Sequence, residues 1–245
     1  MKGEEIQGPD EELRGCLQDL EAAQSELDAF LYSVSHDLGA PMRAIQGFSR
    51  ILLKRYSDIL DEKGKDYLGR MEAASRRIEQ MVGDLTQMSR LSKVVMKIEE
   101  LDLSRIVHRI ADRLGRSDKE RKVKFTMAEG IRAYGDAHLL AIGLENLLAN
   151  AWKFTGGKED ALVEFGVEPR AGGERIYFVR DNGIGFDMIN AERLFKPFQK
   201  LHDEREFPGS GVGLATVYRI IRRSGGKIWA ESEEGIGTTI YFTLG

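Results

Sequence analysis

Apolar residues recur every seven positions near the start of the chain, at Leu13, Leu20, Leu27 and Val34, with Cys16, Ala23 and Phe30 interleaved three residues later. That is an a/d seam, the mark of a helix that winds against another. Beyond Val34 the apolar positions continue at three- and four-residue spacing through Leu38, Met42, Ile45, Phe48 and Leu52, predicting one long amphipathic helix over about 11–55. Pro41 falls inside it. Proline has no N–H for the carbonyl of Asp37 and its ring crowds that carbonyl, so a kink or loosened turn is expected there, not an end. Residues 56–60 read as a connection, and Asp61 as the N-cap of a second helix whose stripe is Tyr67, Met71, Ala74, Ile78, Met81, Leu85, Met88 and Leu91. Two long helices with a short link make an antiparallel hairpin. Each stripe is wider than a lone hairpin can bury, so a homodimeric four-helix bundle is predicted. Residues 1–10, polar and containing Gly8 and Pro9, are expected to be a disordered lead-in.

After Lys93 the period changes. Short β-rich runs are predicted at Val123–Met127, Leu162–Glu168, Ile176–Arg180, Lys227–Glu231 and Thr238–Thr243, and helices at Leu103–Arg116, Asp136–Phe154 and Val212–Ser224. Strands with helices among them predict an α/β sandwich of one sheet and one helical layer, so the whole chain reads as α+β. The division expected is 11–95 for the helical hairpin and 96–245 for the sandwich, with the boundary near 93–100.

Composition narrows this picture only modestly. A net charge of −4 over 245 residues gives no basic footprint for nucleic acid. The single cysteine, Cys16, excludes an intramolecular disulfide and reads as a small apolar seam residue. The first residues lack the basic-then-apolar order of a signal peptide, and no apolar run approaches the roughly 20 residues that cross a bilayer. No transmembrane segment is expected, and a cytoplasmic location is.

Four stretches offer chemistry. His36 and Asp37 lie in the first helix, four to five residues before Pro41; a lone histidine there is, by itself, a solvated surface residue as readily as a nucleophile. In the helix near 139–154, Asn146, Asn150 and Lys153 share one face. They suit either a solvent face or a site where amide oxygens meet Mg²⁺ and a lysine meets phosphate. Asp181-Asn182-Gly183-Ile184-Gly185-Phe186 follows a predicted strand, where a carboxylate could take an exocyclic amine or the Asn-Gly pair could simply make a turn. Gly209-Ser210-Gly211-Val212-Gly213-Leu214 runs into a helix, as phosphate-binding loops and merely flexible loops both do.

In this order, with Phe195-Lys196-Pro197-Phe198 between the last two, and downstream of a hairpin bearing Ser-His-Asp and a proline, the motifs resemble the sensor histidine kinases of two-component systems over about residues 11–245. The stretch from Ser35 to Ile45 and Phe198-Gln199-Lys200-Leu201-His202 look closest to the phytochrome-like branch. The resemblance implies a dimerisation and histidine-phosphotransfer bundle followed by an ATP-binding domain of the Bergerat fold shared with gyrase, MutL and heat-shock chaperone ATPases. It implies that His36 is the phospho-acceptor and Asp37 the acid polarising it. It also implies that Asn150, with Asn146, forms the Mg²⁺ site, that Lys153 contacts phosphate, and that Phe154 lies against adenine. Asp181 would accept the adenine amine with Gly183 and Gly185 beside it. Residues 187–211 would form a mobile lid, with Gly209, Ser210, Gly211, Gly213 and Leu214 around the phosphates. The partner implied is the aspartate of a separate response-regulator receiver, and the seam at 13–30 has the look of a signalling coiled coil entering from an upstream module that is either removed or never existed.

Two departures stand out. Relatives usually carry Arg at the third position after the histidine and often Thr or Asn at the fourth; here these are Gly39 and Ala40, and Ala40 cannot orient water for dephosphorylating a partner. A hydrolytic ATPase of the same superfamily is the first rival. It would place a water-activating glutamate four residues before the metal-binding asparagine, where this chain has Asn146, with Glu145 roughly 100° round the helix. A non-catalytic dimeric scaffold is the second. Of the other histidines, His108 and His138 read as surface or structural, while His202 falls in the lid segment.

Overall fold

The computed structural model describes residues 9–169, 175–203, 206–207 and 209–245. The lead-in through residue 8 lies outside them. So do the side chains of Leu13, Cys16, Leu20, Leu27 and His36, whose backbone is helical. The chain divides into two compact units, Met1–Lys93 and Val94–Gly245.

The first unit is a helical hairpin of α1 (Pro9–Arg55) and α2 (Glu62–Lys93). Pro41 sits within α1 without ending it. Asp61 caps α2, its Oδ1 accepting the Gly64 N–H at 2.7 Å. Small side chains at Ser49 and Ser75 are buried along the hairpin, and Met88 and Leu91 are buried near the C-terminal end of α2. Arg50 reaches across to Glu72 at 3.2 Å. Much of the predicted apolar stripe stays uncovered: Phe48 is 68% exposed, Tyr67 60% and Met71 48%.

The second unit holds a closed core. Its larger sheet runs β2 (Lys124–Met127), β4 (Leu162–Pro169), β5 (Arg175–Asp181), β7 (Gly237–Phe242), β6 (Ile228–Glu233); β2 pairs parallel with β4 and the other pairs are antiparallel. Alternate residues Val163, Phe165, Tyr177, Val179, Ile240 and Phe242 are buried. The apolar faces of α3 (Leu103–Ser117), α4 (Ala137–Phe154) and α5 (Gly213–Arg223) complete the core through Val107, Ile110, Leu144, Leu148, Val217 and Ile220. Asp102 and Asp136 cap α3 and α4 by accepting backbone N–H groups of their first turns.

Two strands escaped the pattern. β1 (Ile98–Asp102) and β3 (Arg132–Asp136) pair antiparallel as a separate ribbon. Their sequences, Ile-Glu-Glu-Leu-Asp and Arg-Ala-Tyr-Gly-Asp, carry too few apolar positions for alternation to register. On the other face of the sheet, the Phe178 ring fills the space that a side chain at Gly166 would need. Arg180 lies over Phe178 at 4.9 Å, and Trp229 stacks on Tyr241 at 5.4 Å.

This packing predicts that Gly166→Val displaces the Phe178 ring and destabilises the second unit by about 1–3 kcal/mol. Both tryptophans, Trp152 and Trp229, belong to that unit, so denaturant unfolding followed by tryptophan fluorescence isolates it. An unchanged midpoint would contradict the assigned contact.

Candidate functional site

Asp181 ends β5 and opposes Thr238 of β7. Its Oδ1 accepts the Gly183 N–H at 2.9 Å, and the Thr238 backbone N–H also reaches the carboxylate. Burial outweighs these two donors and pushes the carboxyl from the ordinary 3.8 up to about 6. The loop that follows is held under the end of α4: Ile184 N–H donates to the Phe154 carbonyl at 3.2 Å, and a Cβ on Gly183 would lie 2.6 Å from that same oxygen. Gly185 has φ +59, and a Cβ there would collide with the Glu233 carbonyl. Phe186 is buried, its N–H donating to Ser232 Oγ at 2.9 Å. Asn182 clamps the start of β4 from beside the turn, its Oδ1 accepting the Leu162 N–H at 2.8 Å and its Nδ2 donating to the Asp160 carbonyl at 2.9 Å.

The same end of α4 carries the polar face. Asn146 donates from Nδ2 to the Ile142 carbonyl at 2.9 Å, which leaves Oδ1 directed at α5, 2.7 Å from where a Cβ on Gly213 would be. Asn150 is half-buried one turn on. Lys153 places Nζ 4.2 Å from the centre of the Phe154 ring and 3.5 Å from where a Cβ on Gly209 would be. Burial, with Lys200 nearby, lowers its pKa, as expected of an ammonium waiting for an anion.

The glycine loop closes the arrangement. Gly211 has φ +75 and accepts the Phe198 N–H at 2.9 Å; Phe198 itself has φ 62. The Phe-Lys-Pro-Phe motif, uninformative by itself, is thus tied to the glycine run. Ser210 is buried, its Oγ accepting the Val212 N–H at 3.3 Å. Val212, the N-cap of α5, makes no side-chain cap hydrogen bond to the first turn at Gly213 and Leu214. Two further residues join the Phe154 ring: His202 at 5.4 Å and Phe207 at 5.2 Å, with His202 also hydrogen-bonding the Gly185 backbone. Burial and the charge of Lys153 lower the His202 pKa.

Asn146, Lys153, Phe154, Asp181, Gly183, Gly185, Gly209, Gly211 and Gly213 therefore lie along the C-terminal half of α4 and in the loops packed against it. Sequence reasoning missed Thr238 and Phe207, which stand beside Asp181 and Phe154; Thr238 reads only as a strand residue and Phe207 as a loop residue. Among the described residues no group of three or more His, Cys, Asp or Glu could hold a metal. The oxygen donors at hand are amide groups, which fit Mg²⁺ that keeps waters and takes substrate phosphate. Glu145 is turned elsewhere, paired with Arg113 of α3. His108 makes an exposed pair with Glu129 at 3.0 Å. His36 and Asp37 lie in α1, in the other unit.

A family model described as histidine kinase-, DNA gyrase B-, and HSP90-like ATPase matches residues 135–245, and a His Kinase A (phospho-acceptor) domain model matches residues 26–93. The methanogenesis regulatory histidine kinase FilI of Methanothrix harundinacea is 39% identical over 234 residues, covering 95% of this chain and 26% of that protein. Cyanobacterial phytochrome B of a Nostoc species is 36% identical over 228 residues, covering 92% of this chain and 30% of that protein. The chain thus spans about a quarter to a third of these curated relatives. Full-length ShkA, solved in complex with AMPPNP, shares the fold with a TM-score of 0.64 at 23% identity, over 88% of this chain and 45% of that one.

Because the Asp181 carboxyl is raised to about 6, its neutral form contributes stability that is complete below about pH 3.8 and is lost as pH rises through 6. Asp181→Asn should therefore be more stable than wild type at pH 7.5, by up to about 3 kcal/mol, with the gap closing toward pH 4. Denaturant midpoints across that range check it; a gap that widens toward low pH would reverse the assignment.

Proposed function

The chain belongs to the histidine kinases of two-component signalling, and on that premise we propose that it is an ATP-dependent autokinase that phosphorylates His36 and passes the phosphoryl group to an aspartate of a separate receiver protein. The observation that carries the proposal is the placement of Asn146, Lys153, Asp181 and the glycine loop along the C-terminal half of α4, with Glu145 engaged by Arg113 instead of placed to activate water. That last point disfavours a hydrolytic ATPase.

In this reading Asp181, inside the pocket, accepts the exocyclic amine of adenine, and Gly183 and Gly185 let the base approach the backbone. Phe154 packs against the base. Lys153 neutralises phosphate oxygens, while Gly209, Ser210, Gly211, Gly213 and Leu214 present loop and helix N–H groups to them. Asn150 and Asn146 are the residues that would hold Mg²⁺, which when bound shields the charge of the phosphate chain. Phosphoryl transfer asks little covalent chemistry of a protein beyond an aligned nucleophile and neutralised oxygens. The His36 lone pair forms the N–P bond as the P–O bond to ADP breaks and its electron pair leaves with ADP. A neutral imidazole is abundant at pH 7, because its ordinary pKa is about 6.5. Asp37 stabilises the positive charge that develops on the ring.

The uncovered stripe on the hairpin, including Phe48, Tyr67 and Met71, supports pairing with a second copy into a four-helix bundle. No helix among the described residues is long and apolar enough to cross a membrane. Action in the cytoplasm, where ATP is available, is part of the same proposal. Ala40, an exposed methyl, offers no group to orient water, so phosphatase activity toward the receiver is expected to be weak.

Incubation with γ-labelled ATP and Mg²⁺ should give acid-labile label in wild type and none in His36→Gln; label that survives the substitution would refute the acceptor. Asp181→Asn should lose nucleotide binding while the dimer persists in sedimentation. Wild-type affinity for ATP should fall as pH drops through about 6, where Asp181 gains a proton, and a flat titration curve would remove it from the adenine pocket.

A further inference from the structure

Between Gly15 and Ser49 the sequence holds one Lys or Arg, and it is Arg43, in a stretch that also carries Asp19, Glu21, Glu26, Asp28 and Asp37. In α1 its guanidinium is folded back by a turn. A Cβ on Gly39 would lie 3.1 Å from Arg43 Nη1 and 3.9 Å from Cζ and Nη2. Long helical side chains lean toward the helix N-terminus in this way. A methyl at residue 39 would push the head group aside by only a few tenths of an ångström, whereas a larger side chain would occupy its place; Gly39 itself is buried. Glycine in a helix interior costs about 1 kcal/mol against alanine, so its presence asks for a reason, and the seat of Arg43 supplies one.

The helix fixes where that places the charge. Residues three and four apart share a face with about 5–6 Å between their Cβ positions, so position 39 lies one turn from position 36 and position 43 lies two turns from it. The guanidinium thus ends one turn from the phospho-acceptor position, on that residue's own face of the helix. The next cation along α1, Arg50, is held by Glu72 at 3.2 Å.

We infer that Arg43 is a positioning residue for the phosphoryl group, taking its non-bridging oxygens as it arrives at His36 and holding them afterwards, with Gly39 a glycine so that it can. The inference rests on the autokinase reading and deepens it. Charge in phosphoryl transfer spreads over those oxygens, and a planar guanidinium can engage two of them at once where an ammonium engages as a point charge. Arg43 makes and breaks no bond; the N–P bond forms and the P–O bond to ADP breaks as before, and the guanidinium keeps its protons throughout.

The test is the initial rate of labelling from γ-labelled ATP and Mg²⁺, titrated in ATP, on the whole chain. Arg43→Ala should lower kcat about tenfold with KM for ATP unchanged, the scale of one hydrogen bond to a charged group, and Arg43→Lys should recover part of the loss. Gly39→Leu fills the seat with a good helix former and should reproduce the loss. The double variant should lose no more than either single one, which a merely structural role would not produce. Circular dichroism and sedimentation confirm helix content and assembly in each. A wild-type rate in Arg43→Ala, a loss confined to KM, or additive losses in the double variant would overturn the inference. If wild type takes no acid-labile label, or His36→Gln keeps it, the autokinase reading falls and Arg43 with it; label on His36 indifferent to Arg43 removes Arg43 alone.

Discussion

Three backbone segments crowd around Asp181 more closely than side chains would allow, and the second unit's candidate site depends on that crowding. Gly183 lies against the last carbonyl of α4, Gly185 against the Glu233 carbonyl at the β6–β7 turn, and Gly237 against the carbonyl of Asp181 itself. Each contact closes only because a Cβ is missing. Together they set the depth of the carboxylate, and depth sets its chemistry: a carboxyl that two backbone N–H groups would hold down is instead raised to about 6 by burial. They also fix the C-terminal end of α4 relative to the sheet. Asn146 and Lys153 are consequently turned toward Gly213 and Gly209 of the glycine loop.

The two units are stabilised in different ways. The sandwich buries aliphatic faces of three helices against one side of a sheet, with capped helix starts and a filled core. The hairpin has small residues along its inner contact and large apolar residues on its outside. Burying those stripes takes a further helical surface, which is why an autokinase with this hairpin is read as a dimer. The nucleophile proposed here is carried by a helix exposed along much of its length, whereas the groups proposed to bind nucleotide converge in a packed unit. That division suits a reaction in which one rigid element must be reached by another.

Around Phe154 the arrangement is less rigid in character. His202 and Phe207 surround its ring, Lys153 lies over it, and Phe198 is tied to Gly211 by a backbone hydrogen bond between two residues that both have to hold positive φ in this loop. Glycine at 211 satisfies that demand without strain; Phe198 does not, and holds its conformation because the surrounding loop imposes it. Strain of this kind at a loop beside a site is the expected place for movement during turnover.

How much of this was legible in the chain depends on the range of the interactions. Helix α1 with Pro41 inside it, the Asp61 cap, helix α4 and the main strands of the larger sheet are local matters of period, capping and propensity, and sequence alone determined them. The candidate residues were nominated by the order of their motifs and the family they resemble, because a glycine run, an asparagine face and a carboxylate at a strand end each also read locally as a flexible loop, a solvent face or a turn. The ribbon of β1 and β3 was not legible, since its polar strands are held by each other and not by alternation. Only the tertiary structure decided that Phe198 pairs with Gly211, that Glu145 turns away to Arg113, that Thr238 supports Asp181, and that Gly39 is a seat for Arg43. All but the last join residues far apart along the chain, and the last depends on where one flexible side chain comes to rest. No period or propensity encodes a contact that exists only once the backbone has closed.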